Sequence, residues 1–313
     1  MTDTAKAGQD AAETARHAAG TTFTLLAATG FAAVSTLTAV AISHGTSLAN
    51  VLTWRYVLAS IVLTVFVGAR RYARRYARLP SREMMKFVVI GGGGQALLVG
   101  LALSSIAYIP VATLAFLFYT YPAWVTLVQA VRGVERVTAR RGVALAMSFA
   151  GIVTIVGLPG ITGEAADAGY WTGVALALGA ALVYGGYIPT MMHLQKTYPV
   201  PVTSALAKIG ASVCFLIWSV SDQSFDMSLT QPAWIAIAIL TVFSTVLPSV
   251  FFLSGLIRLG PVRTAIVSTV EPFLTAIIGA AVLAQHITPR VFAGGALIVA
   301  AVVLLQFKRE RVA

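Results

Sequence analysis

Ten apolar stretches, each about 20 residues long, follow one another along the chain with short connections between them. A hydrocarbon core about 30 Å thick requires roughly 20 apolar helical residues, so each stretch is long enough to cross a membrane. The 313 residues are 58% hydrophobic and only 11% charged, a balance that a water-soluble globule of this size could not bury. The sequence therefore predicts an all-α polytopic membrane protein. The predicted spans cover residues 22–43, 51–69, 86–106, 111–131, 139–158, 170–193, 202–221, 232–256, 262–283 and 289–306.

The basic residues are concentrated on one side of this predicted bundle. They include "ARRYARRYARLPSR" after the second span and "KRER" near the C-terminus, whereas the opposite connections carry Glu164, Asp167, Asp222 and Asp226. The positive-inside rule predicts that the basic side and both termini face the cytoplasm. The net charge of +11 is therefore explained by topology and lipid headgroups, and not by nucleic-acid binding.

The second half of the chain repeats the first. A shift of 150 residues aligns "LSSIAYIPVATLAFLFYTYPAWVTLVQAVRGVERVTAR" with "LSGLIRLGPVRTAIVSTVEPFLTAIIGAAVLAQHITPR", and a shift of 153 aligns Arg55 with Lys208. The repeats occupy residues 22–158 and 170–306, between a cytoplasmic segment 1–21, an outer loop 159–169 and a basic tail 307–313. Because five spans are an odd number, the second copy enters the membrane from the opposite side. Inverted repeats around a central cavity predict alternating access.

Several motifs resemble those of EamA-type members of the drug/metabolite transporter superfamily. They are "WRYVLAS" in span two and the paired modules "YPAWVTLVQAVRGVERVTARRGVALAMSFAGIVTIVG" and "EPFLTAIIGAAVLAQHITPRVFAGGALIVAAVVLL". The resemblance implies transport of small metabolites, amino acids among them, across a bacterial inner membrane. One position departs from the pattern, since Gln285 stands where the family usually has Glu, while Glu135 is kept in the first half. Any role of that second acid is therefore lost here.

Glu271 lies near the middle of span nine, directly before Pro272. A charge near the bilayer centre costs at least a few kcal/mol unless it is paired, hydrated or neutralised. We expect Glu271 to face a wet cavity, where it binds an ammonium group or carries a proton. The alternative is a structural role, in which Glu271 pairs with hydroxyls or a base to fix helix packing. Three prolines are predicted to break or loosen helices around the cavity: Pro122, Pro272 and Pro189.

Two basic residues also lie inside spans. Arg55 enters span two from the outside and Lys208 enters span seven from the inside, so inversion places them on opposite sides of the midplane. As gates, they would capture a carboxylate or phosphate, Arg55 through a forked contact and Lys208 as a point charge. The alternative is that both snorkel to the nearer interface.

Aromatic residues are concentrated around the prolines, and tyrosine hydroxyls at this depth need partners. We expect some of them to line the cavity: Tyr119, Tyr121 and Trp124 in span four, and Tyr184 and Tyr187 in span six. The alternative for each is ordinary packing. The stretch "GGGGQALL" lacks the residues of a phosphate-binding loop. It is expected to let helices approach closely, with Gln95 lining the cavity. The same close approach is expected of the small residues Gly142, Ala146, Ala150, Ala280 and Ala284.

The favoured function is a secondary transporter that exports an amino acid or related amphipathic solute, with protons or the solute's own gradient as the driving force. The alternatives are an organic-cation, drug or sugar-phosphate transporter of the same fold, an intramembrane enzyme, and a passive channel. The acids are too isolated for a catalytic or metal centre, and the histidines at the span ends lack ligand spacing. We therefore expect no enzyme activity, no cofactor and no metal. The expected partners are a small-molecule solute and membrane lipids, and one chain containing both halves is expected to work as a monomer.

Overall fold

A computed structural model describes residues 3–69, 80–133, 138–156, 168–194, 198–259 and 267–306. All regular secondary structure in these ranges is helical, which confirms the all-α prediction. The helices are α1 (Asp3–Ala32), α2 (Val34–Ser43), α3 (Leu48–Ala69), α4 (Ser81–Lys86), α5 (Gly93–Ser104), α6 (Val111–Phe118), α7 (Tyr121–Val131), α8 (Ala139–Val156), α9 (Ala168–Leu194), α10 (Val200–Ser221), α11 (Gln231–Thr241), α12 (Leu247–Leu259), α13 (Glu271–Leu283) and α14 (Pro289–Gln306). A π-helical turn, Phe87–Gly92, joins α4 to α5, and a second, Val242–Val246, joins α11 to α12.

Seven helical stretches in the described ranges are long and apolar enough to cross a membrane, and they match predicted spans one to four and six to eight. Spans five, nine and ten contain the shorter apolar stretches Gly142–Ile155, Glu271–Leu283 and Pro289–Leu304, so the count of ten remains a prediction. The helix that contains span one begins at Asp3, well before the predicted boundary. Most of the predicted outer loop, much of the basic stretch after span two, and the tail 307–313 lie outside the described residues.

Helix packing follows the predicted internal repeat. In the first half, α1 packs against α12 and α13 of the second half. Its repeat counterpart, α9, packs against α5, α6 and α7 of the first half. Further contacts pair α3 with its counterpart α10 and α8 with its counterpart α14, and α6 packs against α13. Several of the major contacts therefore occur as equivalent pairs in the two halves.

The counterpart helices α3 and α10 run antiparallel. Leu63 and Val67, late in α3, share a buried cluster with Val202, which lies at the start of α10. Tyr56, earlier in α3, instead packs against Phe215, further along α10, with ring centroids 4.9 Å apart. This register requires opposite helix directions. The two halves are thus related by inversion, as an odd number of spans per half demands.

The helix pair α8 and α14 meets through a close glycine contact. A Cβ at Gly151 would lie 2.8 Å from the Gly294 carbonyl oxygen, and a Cβ at Gly294 would lie 2.7 Å from the Gly151 carbonyl oxygen. The predicted contact face of span five is therefore wrong. A Cβ at Gly142 would have no neighbouring atom within 4 Å, and Ala146 and Ala150 are exposed. The spacing of small residues predicts a helix face suited to close packing. It does not determine which of two adjacent faces contacts the partner helix.

In span nine, the expected contact is also absent at Ala284. This exposed residue has a φ of 51° and lies just beyond the last residue of α13. Because Ala284 is in the left-handed region, it ends the helix instead of packing it.

The glycine stretch 91–94 does bring helices together, as predicted. A Cβ at Gly92 would lie 2.5 Å from the Cα atom of Gly210 in α10. A Cβ at Gly94 would lie 2.7 Å from the Tyr187 ring in α9. Gly93 has open space around it, so the four glycines are not equivalent. The prediction of close approach is confirmed at Gly92 and Gly94.

Both halves contain a broken helix at the aligned prolines. In the first half, α6 ends at Phe118 and α7 begins at Tyr121, while in the second half a turn at residues 269–270 precedes α13, which begins at Glu271. Pro122 and Pro272 are each the second residue of the helix that follows the break. Proline suits this position, because the first turn of a helix has no partner for its backbone N–H groups.

Pro189 behaves differently from these two prolines. It lies inside α9, which continues without interruption to Leu194. The prediction of a helix break at Pro189 is therefore wrong. A single proline removes only one backbone donor, and in a buried bundle the neighbouring turns and helices hold the rest of the ladder in place.

Candidate functional site

Five aromatic rings meet beside the helix break of the first half. The Tyr121 and Tyr184 rings are 4.7 Å apart, and Phe118 stacks on Tyr184 at 5.4 Å. The Tyr119 ring meets Tyr121 edge-on at 5.7 Å, and Tyr187 stacks on Tyr184 at 6.3 Å. These distances are those of favourable ring pairs. We call these five residues the tyrosine cluster, which brings together four of the predicted cavity residues from spans four and six.

Glu271 lies against the tyrosine cluster. Its carboxyl group interacts with the Tyr119 hydroxyl and electrostatically with the hydroxyls of Tyr121 and Tyr184. The Glu271 side chain is half-buried, whereas Pro272 behind it is buried. As the first residue of α13, Glu271 also lies where free backbone N–H groups favour a negative charge. The acid of the second half and the tyrosines of the first half therefore form one polar group.

The two helix breaks are joined directly by a hydrogen bond. The Tyr119 hydroxyl, at the break of the first half, donates to the Ser268 carbonyl oxygen, 2.5 Å away and just before the break of the second half. Broken helices expose backbone groups that need partners at membrane depth. Tyr119 satisfies one of these groups and ties the two irregular segments together.

Arg55 lies deep in the helix pair α3 and α10, with only 5% of its surface exposed. Its Nε–H donates a hydrogen bond of 2.9 Å to the Thr245 hydroxyl, which belongs to the second π-helical turn. Its Nη1 atom is buried and has no hydrogen-bond partner among the residues that the structure describes. A buried guanidinium donor without a partner is costly, so this atom is a candidate contact for a ligand.

Lys208 meets Arg55 at a single ring. The Arg55 guanidinium carbon lies 5.4 Å from the centroid of Tyr56, and Lys208 Nζ lies 4.8 Å from the same centroid. The two cations thus lie close together, and they do not guard separate gates far from each other. Snorkelling does not describe Arg55, which is buried with its nearest polar contact in the second half.

No carboxylate in the described ranges forms an ion pair with either cation. Cation–π contacts with Tyr56 offset part of the desolvation cost, since the ring face is negative. They do not neutralise two positive charges. We call Arg55, Tyr56 and Lys208 the cation cluster.

Tyr187 lies between the cation cluster and the tyrosine cluster. It is close to Tyr56, and its ring stacks on Tyr184. Its hydroxyl donates a 3.1 Å hydrogen bond to the carbonyl oxygen of Gly91, inside the first π-helical turn. A π-helical turn leaves backbone groups less regularly paired, and such turns are frequent at functional sites.

Two predicted cavity residues are not brought into these clusters. The Trp124 indole N–H donates to the Thr120 hydroxyl at 3.2 Å, and its ring meets that of Phe149, which is exposed on the outside of the bundle. Gln95 is half-buried, one residue beyond the Tyr187 contact at Gly94, and its side chain makes no hydrogen bond to the rest of the described chain.

Sequence reasoning missed Tyr56, Thr245 and Ser268. Tyr56 stands beside Arg55 in "WRYVLAS", so a search for aromatic neighbours of intramembrane cations could have found it. Thr245 and Ser268 contact the site across the halves, and no local pattern marks them.

Gln285 has a structural contact that explains why an amide is tolerated there. Its Oε1 atom accepts a 3.0 Å hydrogen bond from the backbone N–H of Val111, the first residue of α6. Pro110 offers no side-chain cap to this helix, so the donor would otherwise lack a partner. An amide oxygen accepts this bond as a carboxylate would, without a charge.

Comparison with known proteins agrees with the fold. A solved crystal structure is similar over 92% of this chain and 96% of that chain, with a TM-score of 0.62 and 17% sequence identity. A protein named "Uncharacterized transporter sll1319" from Synechocystis sp. (strain ATCC 27184 / PCC 6803 / Kazusa) is 24% identical over 212 residues, which are 66% of this chain. The match spans 61% of the length of that relative.

The sequence profile of the EamA-like transporter family matches residues 18–157 and again residues 171–307. The two matches lie one in each half and together cover most of the chain. They confirm the resemblance drawn from "WRYVLAS" and the paired modules. This multi-pass membrane protein is therefore a member of the EamA-like transporter family.

Proposed function

We propose that the protein is a secondary transporter that exports a small amphipathic organic solute, such as an amino acid, across a bacterial inner membrane by alternating access. The observation that carries this proposal is the meeting of the two helix breaks through Tyr119 and Ser268, with Glu271 and the tyrosine cluster beside them. Polar side chains and irregular backbone persist at membrane depth where they line a water-filled cavity. The inverted halves supply two packings of one bundle, which alternating access requires.

In this proposal the solute lies between the tyrosine cluster and the cation cluster. Glu271 faces its ammonium group, the rings of Tyr121 and Tyr184 contact its apolar part, and Arg55 and Lys208 face its acidic group. Such a hollow combines apolar walls with a few oriented polar groups, as small-molecule sites do. Tyr187 lies between the two clusters and would contact the middle of a longer solute.

A count of protons at Tyr119 supports a second role for Glu271. The tyrosine hydroxyl has one hydrogen, which it donates to the Ser268 carbonyl oxygen. With its hydrogen engaged by Ser268, the hydroxyl is a poorer donor to the Glu271 carboxylate beside it, so that charge is less well compensated for its removal from water. We propose that Glu271 takes up and releases a proton during the transport cycle, which would couple solute movement to the proton gradient.

A solute panel in proteoliposomes tests the proposal. Purified protein is reconstituted in both orientations, and counterflow of labelled amino acids, organic cations and sugar phosphates is measured with and without an imposed proton gradient. We expect saturable counterflow of at least one amphipathic solute, stimulated by the gradient. Uptake that never saturates and shows no counterflow would identify a channel instead.

A further inference from the structure

We propose that Arg55 and Lys208 form one oxyanion site shared between the two halves, and that the carboxylate or phosphate of the transported solute occupies it. The inference rests on the proposed transport function and narrows its substrate class. It replaces two separate charged gates with one site, and it predicts that solutes lacking an oxyanion are poor substrates.

The surroundings of Arg55 are suited to a bound anion. The guanidinium group is buried, its Nε–H is engaged by Thr245, and its buried Nη1 atom has no partner within the described ranges. One edge of the guanidinium is thus held by the protein while another edge has a free donor. A carboxylate or phosphate oxygen is the ordinary partner of such an edge.

The second cation approaches the same place from the other half. Lys208 Nζ and the Arg55 guanidinium both lie within 5.4 Å of the Tyr56 ring centroid, and neither forms an ion pair in the described part of the chain. Two neighbouring cations repel each other unless an anion lies between them. Since Lys208 is half-buried while Arg55 is buried, the accessible side of the cation cluster is the lysine side.

The two cations are anchored differently, although the repeat makes them equivalents. Thr245 holds Arg55 from the second π-helical turn, and the shift of 153 aligns Thr245 with Gly92 in the first π-helical turn. Glycine offers no hydroxyl, and Lys208 Nζ makes no hydrogen bond within the described residues. We infer that Arg55 is the fixed part of the site and Lys208 the movable part.

An anion bound by both residues would bridge the halves. Arg55 belongs to α3 of the first half and Lys208 to α10 of the second, and these helices lie side by side. Binding would therefore favour the conformation in which the two charges converge. This excludes simple organic cations as preferred solutes and leaves zwitterions and phosphorylated metabolites.

Binding is tested on the purified full chain in neutral phosphatidylcholine nanodiscs, with the melting temperature followed by intrinsic fluorescence. The probes are L-phenylalanine, its uncharged-carboxyl analogue L-phenylalaninamide, and inorganic phosphate. We expect L-phenylalanine or phosphate to raise the melting temperature, and the amide to act at least about tenfold more weakly, since a charge-assisted contact is lost. Equal responses to L-phenylalanine and its amide, or no response to either anionic probe, would overturn the inference.

A double-mutant cycle distinguishes one shared site from two gates. Arg55→Gln and Lys208→Gln should each raise the half-maximal probe concentration by about tenfold or more. The half-maximal concentration of the double variant should rise by less than the product of the two single increases, because both substitutions remove contacts to the same ion. Losses that multiply would show two independent sites and refute the shared one.

Control variants separate binding from folding. Thr245→Val keeps both charges and removes only the hydroxyl that holds Arg55, so it should weaken binding less than Arg55→Gln. Arg258→Gln is the matched control, since Arg258 also lies over a ring, that of Phe23 at 4.7 Å, but far along the chain from the site. It should respond to the probes as the wild type does.

Lipid is the other source of an oxyanion. If phosphatidylglycerol stabilises the protein through Arg55 while no soluble anion does, the cluster is a headgroup site and the assignment to a solute is wrong. Transport is measured in parallel. Counterflow of L-phenylalaninamide as fast as that of L-phenylalanine would refute this inference but not the transporter, whereas anion binding without any counterflow would refute the transporter alone.

Discussion

The Tyr119 hydroxyl and the Ser268 carbonyl oxygen are 2.5 Å apart, and through this hydrogen bond the broken helix of one half contacts the broken helix of the other. Each break precedes an aligned proline, Pro122 or Pro272. The bond therefore joins equivalent places in the two repeats. The ring and the acid that flank it, Tyr121 and Glu271, are themselves aligned in the repeat.

Tyr119→Phe should destabilise the protein by about 1–3 kcal/mol, because it leaves the Ser268 carbonyl oxygen without its partner. Thermal unfolding in a mild detergent measures the effect. Tyr108→Phe is the control, since Tyr108 is about half exposed and its change should shift the melting temperature little. If both variants melt alike, the bond does not hold the breaks together.

Glu271→Gln should fold normally, because the amide can still donate to the Tyr119 hydroxyl as a protonated acid would. It cannot release a proton, so stimulation of uptake by an imposed proton gradient should fall by more than about tenfold. Solute exchange without a gradient should persist only at a higher solute concentration, because the ammonium group of the solute loses its carboxylate partner. Glu83→Gln is the control, because Glu83 pairs with Lys86 on the short helix α4. Full stimulation in Glu271→Gln would remove this residue from the mechanism.

Gly92→Ala and Gly93→Ala should have opposite effects although the positions are neighbours. A Cβ at Gly92 would lie 2.5 Å from the Gly210 Cα atom, which is backbone and cannot move aside cheaply. We expect Gly92→Ala to lower the free energy of unfolding by about 1–3 kcal/mol. A Cβ at Gly93 would have no neighbouring atom within 4 Å. Alanine there should therefore be neutral or stabilise the helix by up to about 1 kcal/mol. Equal melting temperatures would contradict the close approach of the first π-helical turn and α10.

Gln285→Glu should keep the cap on α6, whereas Gln285→Leu should lose it. The leucine leaves the Val111 N–H without an acceptor, at a cost of about 1–2 kcal/mol. The comparison is made by thermal unfolding of both variants beside the wild type. A leucine variant as stable as the glutamate variant would show that the contact contributes nothing.

Much of the fold follows from the sequence, because the constraints are strong. A bilayer admits only helices or closed barrels, so apolar stretches of about 20 residues determine the fold class. The alignment of Pro122 with Pro272 and of Arg55 with Lys208 anticipated matched helix breaks and a matched pair of cations. The antiparallel register of α3 and α10 agrees with the inversion that an odd number of spans requires.

The details that failed depend on which face of a helix meets its neighbour. The small residues of span five share a helical period with Gly151, yet Gly151 and not Gly142 contacts the partner helix. Trp124 lies two residues after Pro122, and its ring meets that of Phe149 instead of joining the tyrosine cluster. Pro189 looks like the other prolines in sequence, but it lies within a continuous helix. Thr245 contacts Arg55 although the two residues are 190 positions apart in the sequence, so no local sequence pattern predicts the contact.

We propose that Glu271 and the tyrosine cluster border one aqueous hollow. The most direct measurement is the reaction of a membrane-impermeant thiol reagent with Tyr184→Cys, in a Cys214→Ser background, applied from each side of oriented vesicles. Leu182→Cys on the same helix is the control, because Leu182 is exposed on the outside of the bundle. We predict that Tyr184→Cys reacts from both sides, that solute slows the reaction, and that Leu182→Cys does not react. Protection of Tyr184→Cys from the reagent on both sides would contradict the account.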